Sequence, residues 1–357
     1  GVTVKVRNAV FYGGFDCSGE LSFRGTGLEP VTLTSIRDDS VGGDTNKDAN
    51  ATLPGPGDWT GLRYNTASSS GTIRHVRIRY GGTGVLSYSV LTAFDSVRCE
   101  KCSSEGFVFH NGSVDATNLV AWQCGYFGIS CAGGSFDLVN CTSVGNGNVG
   151  MQLAGWSGNV RNCITWNNLV GNLAGAFAGA VYNSNGSVAW STSNGNLFAN
   201  PQFENELAGD LRLTSGSPCV GTGDFITALF LLTDHNDNSR ISDGNLTGAA
   251  VQPDMGAYER VSYRLSFTGQ PKTGTAMTFT TEGPIPGSFL MFAGFLDGVQ
   301  FYNPFGIVNA GSPAGVFIIS SGLVGTPVSA NIPNLPVLEG FVFAIQSVGV
   351  TLANPVI

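Results

Sequence analysis

The chain contains 357 residues, with a formal net charge of −8 and a charged fraction of only 12%. A negative balance without a basic run argues against nucleic-acid binding, and no apolar stretch approaches the roughly 18 residues of a membrane-spanning helix. A hydrophobic fraction of 42% with 51 glycines excludes disorder and indicates strands joined by many tight turns. The length allows two domains.

The chain opens on Gly1 and passes directly into the strand-like residues 2–6. We expect a secreted, extracellular or cell-surface protein from which an export signal has been removed. No amphipathic helix precedes this strand, so the first coil of a solenoid would lack a helical cap. Either residues 1–25 or another molecule must then cover that end.

An acidic loop follows, in which Asp44, Asn46 and Asp48 place oxygen side chains at alternate positions. Alternate oxygen ligands are typical of calcium loops, so calcium is the best ligand hypothesis, and the sequence establishes no cofactor. However, Ala49 stands where an EF-type loop has glycine, and no glutamate follows at the twelfth position. The alternative is a turn held by side-chain to backbone hydrogen bonds. A second, weaker calcium candidate lies at residues 234–238. Further acidic residues near the first loop in sequence are Asp38, Asp39 and Asp58.

Residues 74–80 form the most basic strand-like stretch. Val76 and Ile78 alternate with Arg77 and Arg79, which predicts that the arginines face away from the core. This pattern is typical of an exposed basic strand face, and its functional alternative is a subsite for an anionic sugar.

A repeat of 22 residues separates Gly106, Gly128 and Gly150. Each of these glycines is followed by an alternating pair of inward-facing positions: Phe107 and Phe109, Ile129 and Cys131, Met151 and Leu153. Stacked units of this period with Asn- and Gly-rich turns predict a parallel β-helix. The fourth coil is less regular, because Gly171 follows after 21 residues and Asn172 occupies an expected apolar position.

The eight cysteines fit this stacking. Cys102 and Cys124 each lie four residues before a repeat glycine, and Cys141 and Cys163 lie nine and eight before theirs. Stacked strands are about 4.8 Å apart and disulfides accept Cα separations of roughly 4.4–6.8 Å. Disulfides between Cys102 and Cys124 and between Cys141 and Cys163 are therefore possible. The alternative is a ladder of buried thiols.

No set of catalytic residues emerges. Between Asp137 and Glu204 the single charged residue is Arg161, whereas glycoside chemistry needs several close carboxylates. His75, His110 and His235 are far apart in the sequence and follow no triad or metal-ligand spacing, so we interpret them as structural.

Three groups of motifs resemble a known family. Residues 30–35, 38–46 and 56–59 resemble the opening coils of secreted bacterial right-handed β-helix proteins of the pectin-lyase-like superfamily. Residues 200–203, 209–213, 215–218 and 254–259 resemble the closing region of such proteins with a choice-of-anchor C-terminus. The resemblance implies a right-handed parallel β-helix over residues 1–260. It does not imply an activity, because the superfamily includes lyases, hydrolases, adhesins and inert scaffolds.

Residues 261–357 contain no cysteine and have short apolar runs separated by Gly and Pro, which predicts a small β-sandwich. This region also resembles the Ig-like modules that end many exported bacterial proteins. Only five charged residues occur in these 97: Arg264, Lys272, Glu282, Asp297 and Glu339. A surface this neutral favours coverage by another subunit.

We therefore expect a non-enzymatic extracellular structural protein that self-associates, with a head-to-tail filament as one form and a capped monomer as the alternative. The rival function is a polysaccharide-binding or polysaccharide-degrading protein of the lyase type. It would use exposed aromatic side chains, for which the tryptophan candidates are Trp59, Trp122, Trp156, Trp166 and Trp190; the same residues would serve equally as coil packing.

Overall fold

A computed structural model divides the chain into two compact units, residues 1–260 and 261–357. In the first unit the structure describes residues 1–7, 13–49, 51–88, 91–111, 115–135, 137–176, 179–186, 192–228, 231, 233–240 and 252–260. In the second unit it describes the strands given below. Among the described residues, no helix is long and apolar enough to cross a membrane.

The first unit is built from short strands: β1 (Thr3–Val6), β2 (Phe15–Cys17), β3 (Phe23–Arg24), β4 (Val31–Ser35), β5 (Leu62–Tyr64), β6 (Ser70–Arg79), β7 (Val85–Ser87), β8 (Leu91–Glu100), β9 (Phe107–His110), β10 (Asp115–Thr117), β11 (Val120–Trp122), β12 (Ile129–Ala132), β13 (Leu138–Val139), β14 (Thr142–Val144), β15 (Val149–Ala154), β16 (Val160–Arg161), β17 (Ile164–Trp166), β18 (Gly171–Ala174), β19 (Val181–Tyr182), β20 (Phe203–Asn205) and β21 (Asp210–Leu213). Its described helical elements are the 3-10 turns Thr192–Asn194 and Glu206–Ala208 and the helix α1 (Phe225–Ala228).

Strands β1 to β19 stack into a parallel β-solenoid of about five turns, and β20 and β21 form a separate antiparallel pair. One sheet has the order β1-β4-β6-β8-β10-β13-β16-β19, and β11, β14 and β17 continue from β8 beside it. The other sheet has the order β2-β5-β7-β9-β12-β15-β18. Every pairing within these two sheets is parallel. The predicted parallel β-helix is confirmed.

A column of left-handed residues bends each coil between its first two strand segments. The column has φ values between +42° and +56° and consists of His75, Ser96, Asn118, Asn140, Asn162 and Asn183. Asparagine is among the few residue types that adopt this conformation readily, because its side chain hydrogen-bonds locally. The repeated asparagines of the sequence therefore mark the bends of successive coils.

The core lies inside the coils and is formed by side chains that repeat at the coil period. In one column Phe107, Ile129, Met151 and Leu173 stand in direct register. The prediction of an irregular fourth coil is thus wrong for this strand: the step remains 22 residues and Gly171 pairs with Val149. Leu173 continues the apolar column, and Asn172 replaces the repeat glycine.

All eight cysteines are buried free thiols, so the predicted Cys102–Cys124 and Cys141–Cys163 disulfides are absent. The stacking behind the prediction is present, since the backbone N–H of Cys141 donates to Sγ of Cys163 at 3.3 Å. Each of these two thiols instead donates to the carbonyl two residues earlier in its own coil. Burial raises the pKa of Cys163 well above its usual range, and a thiol of this kind is unreactive. The structure contains the alternative, a ladder of buried thiols.

The described parts of residues 203–260, which we call the closing segment, cover the outside of β11, β14 and β17. One apolar cluster across this contact contains Val120, Trp122, Val144, Leu211, Ala257 and Tyr258. A second contains Ile164, Leu213, Cys219, Val220 and Met255. The described residues of this segment therefore cover this face of the central coils from within the same chain.

The second unit consists of antiparallel strands: β22 (Arg264–Thr268), β23 (Ala276–Glu282), β24 (Ser288–Phe295), β25 (Phe301–Asn303), β26 (Gly306–Val308), β27 (Phe317–Leu323), β28 (Val328–Asn331) and β29 (Phe343–Val350). They form the orders β22-β23-β28, β27-β24-β29 and β25-β26. The chain is all-β as predicted. The side chains on which a sandwich core would depend lie outside the described residues.

Candidate metal centre and the charged face of the early coils

The predicted calcium loop brings three carboxylates together. Ligand oxygens of Asp39, Asp44 and Asp48 all lie within 4.8 Å of one another. Asp39 was noted in the sequence only as an acidic neighbour. Its place in the cluster depends on how the loop folds back, which the sequence pattern does not encode.

Asp44 holds the turn that the alternative interpretation expected. Its carboxylate accepts the backbone N–H of Asp48 at 3.2 Å and that of Ala49 at 3.0 Å. The Ala49 hydrogen bond is the main cause that lowers the pKa of Asp44. Lys47 and Ala49 adopt φ values of +60° and +51°, so Ala49 takes the left-handed conformation for which an EF-type loop uses glycine.

Other oxygens of the loop are buried without a hydrogen bond. They are both carboxylate oxygens of Asp39, Oδ1 of Asp48 and the amide oxygen of Asn46. Lys5 supplies the nearby positive charge, with Nζ at 3.7 Å from Oδ1 of Asp39 and a hydrogen bond to the carbonyl of Gly43. Oxygen donors of this type are those that Ca²⁺ prefers, so the donor set fits a hard cation.

The neighbouring acidic residues belong to ion pairs instead. Asp38 accepts from Arg79 at 2.7 Å, and Asp58 accepts from Arg37 at 3.1 Å and from the hydroxyl of Ser35 at 2.6 Å. These two carboxylates anchor the loop to β4 and β6.

Glu100, at the end of β8, gathers the arginines of the basic strand. Arg77 approaches it with Nε and Nη2 at 3.0 Å, Nε of Arg79 lies 2.9 Å away, and Nε of Arg98 lies 2.5 Å away. Burial opposes ionisation of Glu100, but the charges of Arg98 and Arg77 outweigh it and lower the pKa of this carboxyl.

The prediction of an exposed basic face is therefore correct only in part. Arg77 and Arg79 do point away from the core, as the alternation indicated, but the Arg79 side chain is only 11% exposed and Arg77 is 39% exposed. Both guanidiniums are matched by carboxylates of this chain. Removal of one partner from such a network is costly, because a charge is then left buried without its counter-charge.

His75 and His235 meet although 160 residues separate them. Nδ1 of His75 lies 3.2 Å from the carbonyl of His235, and Nε2 lies 2.9 Å from Oδ1 of Asp237. Nδ1 of His235 lies 3.0 Å from the carbonyl of Asn118, and burial lowers the pKa of His235 to about 3. His110 lies elsewhere and stacks on Tyr88 with ring centroids 4.7 Å apart. Both buried histidines connect the closing segment to the coils.

The second calcium candidate forms a buried turn. Asp234 accepts the backbone N–H groups of Asn236 and Asn238 at 2.8 Å each, and its other oxygen accepts that of Glu259 at 2.8 Å. The loop is closed by these bonds, and in the described part of the chain residues 234–238 belong to no group of three or more potential metal-ligand side chains.

Polar groups of the closing segment meet the column of bend asparagines along what we call the polar seam. Asn140 Nδ2 donates to the carbonyls of Asp254 at 3.2 Å and Gly256 at 3.1 Å. Asn162 Oδ1 accepts the backbone N–H of Asp224 at 2.7 Å. Each bend side chain thereby pairs backbone groups that would otherwise be buried without partners.

Buried charges complete the polar seam. Arg240 pairs with Glu259 at 3.3 Å, and both side chains are fully buried. Arg240 also donates to the carbonyl of Ala257 at 3.0 Å. Burial raises the pKa of Asp254 to about 6 and raises that of Glu259 well above its usual range. The Asp254–Glu259 motif of the sequence thus serves docking of the closing segment.

The tryptophan candidates for sugar stacking are mostly packing residues. Trp59, Trp122 and Trp156 are buried. Nε1 of Trp59 donates to the carbonyl of Arg79 at 2.8 Å, and Trp166 contributes to the clusters under the closing segment. Trp190 lies outside the described residues.

No family model matches the chain, and neither a curated protein nor a solved structure was found to be similar to it. The resemblance stated from the sequence motifs therefore has no support from these comparisons, and the solenoid architecture rests on the strand pairing itself.

Proposed function

We propose that this protein is a non-enzymatic structural solenoid that associates with further copies of itself, end to end, at a cell surface or outside the cell. The observation that carries the proposal is the unpaired edge of β1, which in the described part of the chain has a hydrogen-bonded neighbour on one side only.

The backbone of β1 presents donors and acceptors at that edge. The carbonyls of Val2 and Val6 accept from Thr32 and Ile36 on the β4 side at 2.8 and 2.9 Å. Because successive groups of a strand point to opposite sides, the peptide groups of Thr3 point to the open side. An unpaired edge of this kind is a template for a strand of another chain.

The side chains at this end are incompletely covered. Val4, Phe15 and Phe23 pack against the core but remain partly exposed, whereas interior counterparts such as Ile73 and Phe94 are fully buried. At the opposite end of the second sheet, β18 pairs only with β15 among the described strands. The preceding Leu169 and Val170 are 80% and 69% exposed. Joining unlike ends buries both surfaces, and a contact between unlike surfaces that does not close produces a filament.

A pair of substitutions at one position tests the proposal. Thr3→Pro removes the N–H on the open side of β1 and leaves the β4 ladder intact, a position at which edge strands tolerate proline. Thr3→Ala keeps the N–H and is the matched control. Sedimentation velocity over a wide concentration range should show assemblies for wild type and Thr3→Ala, and a shift toward monomer for Thr3→Pro.

A wild-type protein that stays monomeric at the highest concentration would exclude self-association. Assemblies of equal size in Thr3→Pro and Thr3→Ala would exclude β1 as the contact, leaving another surface responsible.

Within this proposal, the solenoid is right-handed, the chain is secreted, its ancestry lies with the pectin-lyase-like superfamily, and residues 261–357 form an Ig-like β-sandwich. The motifs at residues 30–59 and 200–259 support the superfamily assignment, and the antiparallel strands support the sandwich. Polysaccharide binding or cleavage draws less support, because three of the five candidate tryptophans, Trp59, Trp122 and Trp156, are buried.

We propose calcium as the cofactor of the acidic loop. The support is the set of buried oxygens without hydrogen bonds on Asp39, Asn46 and Asp48. Calorimetric titration with CaCl₂ should show saturable binding that Asp39→Asn abolishes and that Asp137→Asn, on a distant coil, leaves unchanged. Equal heats for calcium in wild type and Asp39→Asn would contradict the assignment.

A further inference from the structure

A cavity of about 320 Å³ lies between the early coils and the closing segment. Its walls come from the loop at residues 26–30, from β6 and β8, and from residues 208–212, 235–236 and 258. This volume is at the lower end of the range of small-molecule sites, so an occupant must be small.

Arginines dominate the charge of the walls. Arg77, Arg98 and Arg212 line the cavity, against the carboxylate of Asp210. Glu100 lies behind Arg77 and Arg98 and is almost completely buried. Among the lining residues themselves, three guanidiniums therefore stand against one carboxylate, while Asp237 beside His75 and Glu204 near Arg212 are further acidic groups close to the cavity.

Two of the guanidiniums retain an unused face. Arg77 directs Nε and Nη2 at Glu100, each at 3.0 Å, and Arg212 directs the same atoms at Asp210, at 2.8 and 2.5 Å. In both arginines the edge formed by Nε and Nη2 is occupied by a carboxylate, and Nη1 has no hydrogen-bond partner among the described residues. The two side chains are 39% and 42% exposed and both line the cavity, so a ligand in the cavity can contact them.

The third arginine forms a fixed wall. Arg98 is held by Glu100, by the hydroxyl of Tyr258 at 3.1 Å and by the carbonyl of Gly209 at 3.0 Å. It therefore contributes positive charge without needing to move. A preformed cationic wall lowers the ordering cost of binding an anion.

We propose that this cavity binds a small molecule through an oxyanion head group, a carboxylate or a tetrahedral phosphate or sulfate, held by Arg77 and Arg212. Arginine is the side chain best suited to such groups because its planar donors match their oxygens. The site is separate from the open edge of β1, so it does not depend on the proposed self-association.

The test uses NMR of the full-length protein labelled in its arginine side chains, at low ionic strength in bis-tris chloride. The probes are inorganic phosphate, sulfate and acetate, with glucose as the uncharged control. The Nε–H signals of Arg77 and Arg212 should shift and saturate with at least one oxyanion and not with glucose. The signal of Arg161, an ion-paired arginine on a distant coil, should stay in place. Preference for acetate would identify a carboxylate ligand, and preference for phosphate or sulfate a tetrahedral one.

Three variants sharpen the result. Loss of charge-assisted hydrogen bonds in Arg77→Met/Arg212→Met should weaken binding at least about tenfold, while Arg161→Met leaves it unchanged. Asp210→Asn removes the competing carboxylate and should tighten binding severalfold, an effect opposite to that of a merely destabilising change. If the double variant does not fold, the Asp210→Asn result decides.

Absence of any saturable shift with all three oxyanions would overturn the proposal. So would binding whose strength is the same in wild type, Arg77→Met/Arg212→Met and Asp210→Asn, because the anion would then sit elsewhere.

Discussion

The interior of the coils and the polar seam under the closing segment are built on opposite principles. Inside, apolar side chains such as Phe107, Ile129 and Met151 stack on their equivalents one coil away. At the seam, charged and amide groups are buried and meet partners that are far away in the chain, as Arg240 does with Asn118 122 residues earlier. The interior is redundant, since every coil repeats the same contact, whereas each seam contact occurs once.

This difference predicts where single substitutions act globally and where they act locally. Loss of an interior side chain leaves a cavity in a continuous core, and loss of a seam partner leaves a buried polar group without its match. Both are costly, but the second should release the closing segment before it unfolds the coils.

The largest effect is expected in the interior. Phe107→Ala should lower the free energy of unfolding by about 3–5 kcal/mol, because a fully buried aromatic side chain is lost and a cavity remains. Urea denaturation followed by circular dichroism measures the change. Val108→Ala, an outward-facing neighbour in the same strand, is the control and should cost less than about 1 kcal/mol. Equal costs would mean that the inward and outward faces are misassigned.

Breaking the buried ion pair is the next test. Arg240→Met should cost about 3 kcal/mol, because Glu259, Oδ1 of Asn118 and the carbonyl of Ala257 would all be left buried without their shared partner. Arg161→Met removes a partly exposed ion pair with Asp137 and should cost at most about 1 kcal/mol. Thermal and urea unfolding of both variants provide the comparison, and a cost for Arg240→Met no larger than the control would show that the seam charges are solvated.

The bend asparagines combine both principles, since they shape the coil and also bind the closing segment. Asn140→Ala should cost about 2–3 kcal/mol, because two hydrogen bonds are lost and alanine is strained at a φ of +53°. Asn140→Gly loses the same hydrogen bonds without the strain and should be about 1 kcal/mol less costly. The difference between the two unfolding free energies measures the backbone contribution. If alanine and glycine cost the same, the left-handed bend is not what selects asparagine here.

Two residues of the polar seam, His235 and Asp254, should make the free energy of unfolding depend on pH in opposite directions. The pKa of His235 is lowered from 6.5 to about 3 on folding, so its contribution to stability is present above pH 6.5 and is lost as the pH falls. Between pH 7 and pH 5 the loss is about 2 kcal/mol. The pKa of Asp254 is raised to about 6, from about 3.9 in an unfolded chain. The burial of the Asp254 carboxylate therefore costs nothing at low pH, where the group is protonated, and destabilises the folded state as the pH rises toward 6. Acidification from pH 7 to pH 5 removes this cost and raises the free energy of unfolding by roughly 1 kcal/mol.

Two variants separate these slopes. The stability advantage of wild type over His235→Asn should shrink by about 2 kcal/mol from pH 7 to pH 5, and its advantage over Asp254→Asn should grow by about 1 kcal/mol. Urea midpoints at the two pH values measure both differences. Advantages that do not change with pH would place both side chains in contact with water.

The sequence predicts the interior and not the seam, for the same physical reason. A period of 22 residues is visible because each coil must bury the same positions, so Phe107, Ile129 and Met151 identify one another. The contacts of the coils with Arg240, Asp254 and Glu259 form only when the closing segment folds back. No local sequence pattern predicts these partners. The arginines of β6 show both what the sequence predicts and what it does not. Their outward direction follows from the alternation of residues, but their pairing with Glu100 does not.

The acidic loop shows the same limit at shorter range. Asp44, Asn46 and Asp48 were found by their alternate spacing, whereas Asp39 joins them through the path of the loop. The state of the cysteines was likewise predictable only in part. Spacing placed Cys141 and Cys163 on adjacent coils, but only the structure shows each thiol directed at a carbonyl of its own coil.

Amide hydrogen exchange of the wild-type protein tests most directly whether interior and seam are separately stabilised. The interior amides of β9, β12 and β15 should exchange only through the largest opening, while the amides of Gly256, Ala257 and Glu259, which donate to Asn162, Thr142 and Asp234, should exchange through a smaller opening that releases the closing segment. The result that would contradict separate stabilisation is a single opening free energy shared by the interior amides and the closing-segment amides, both in wild type and in Arg240→Met.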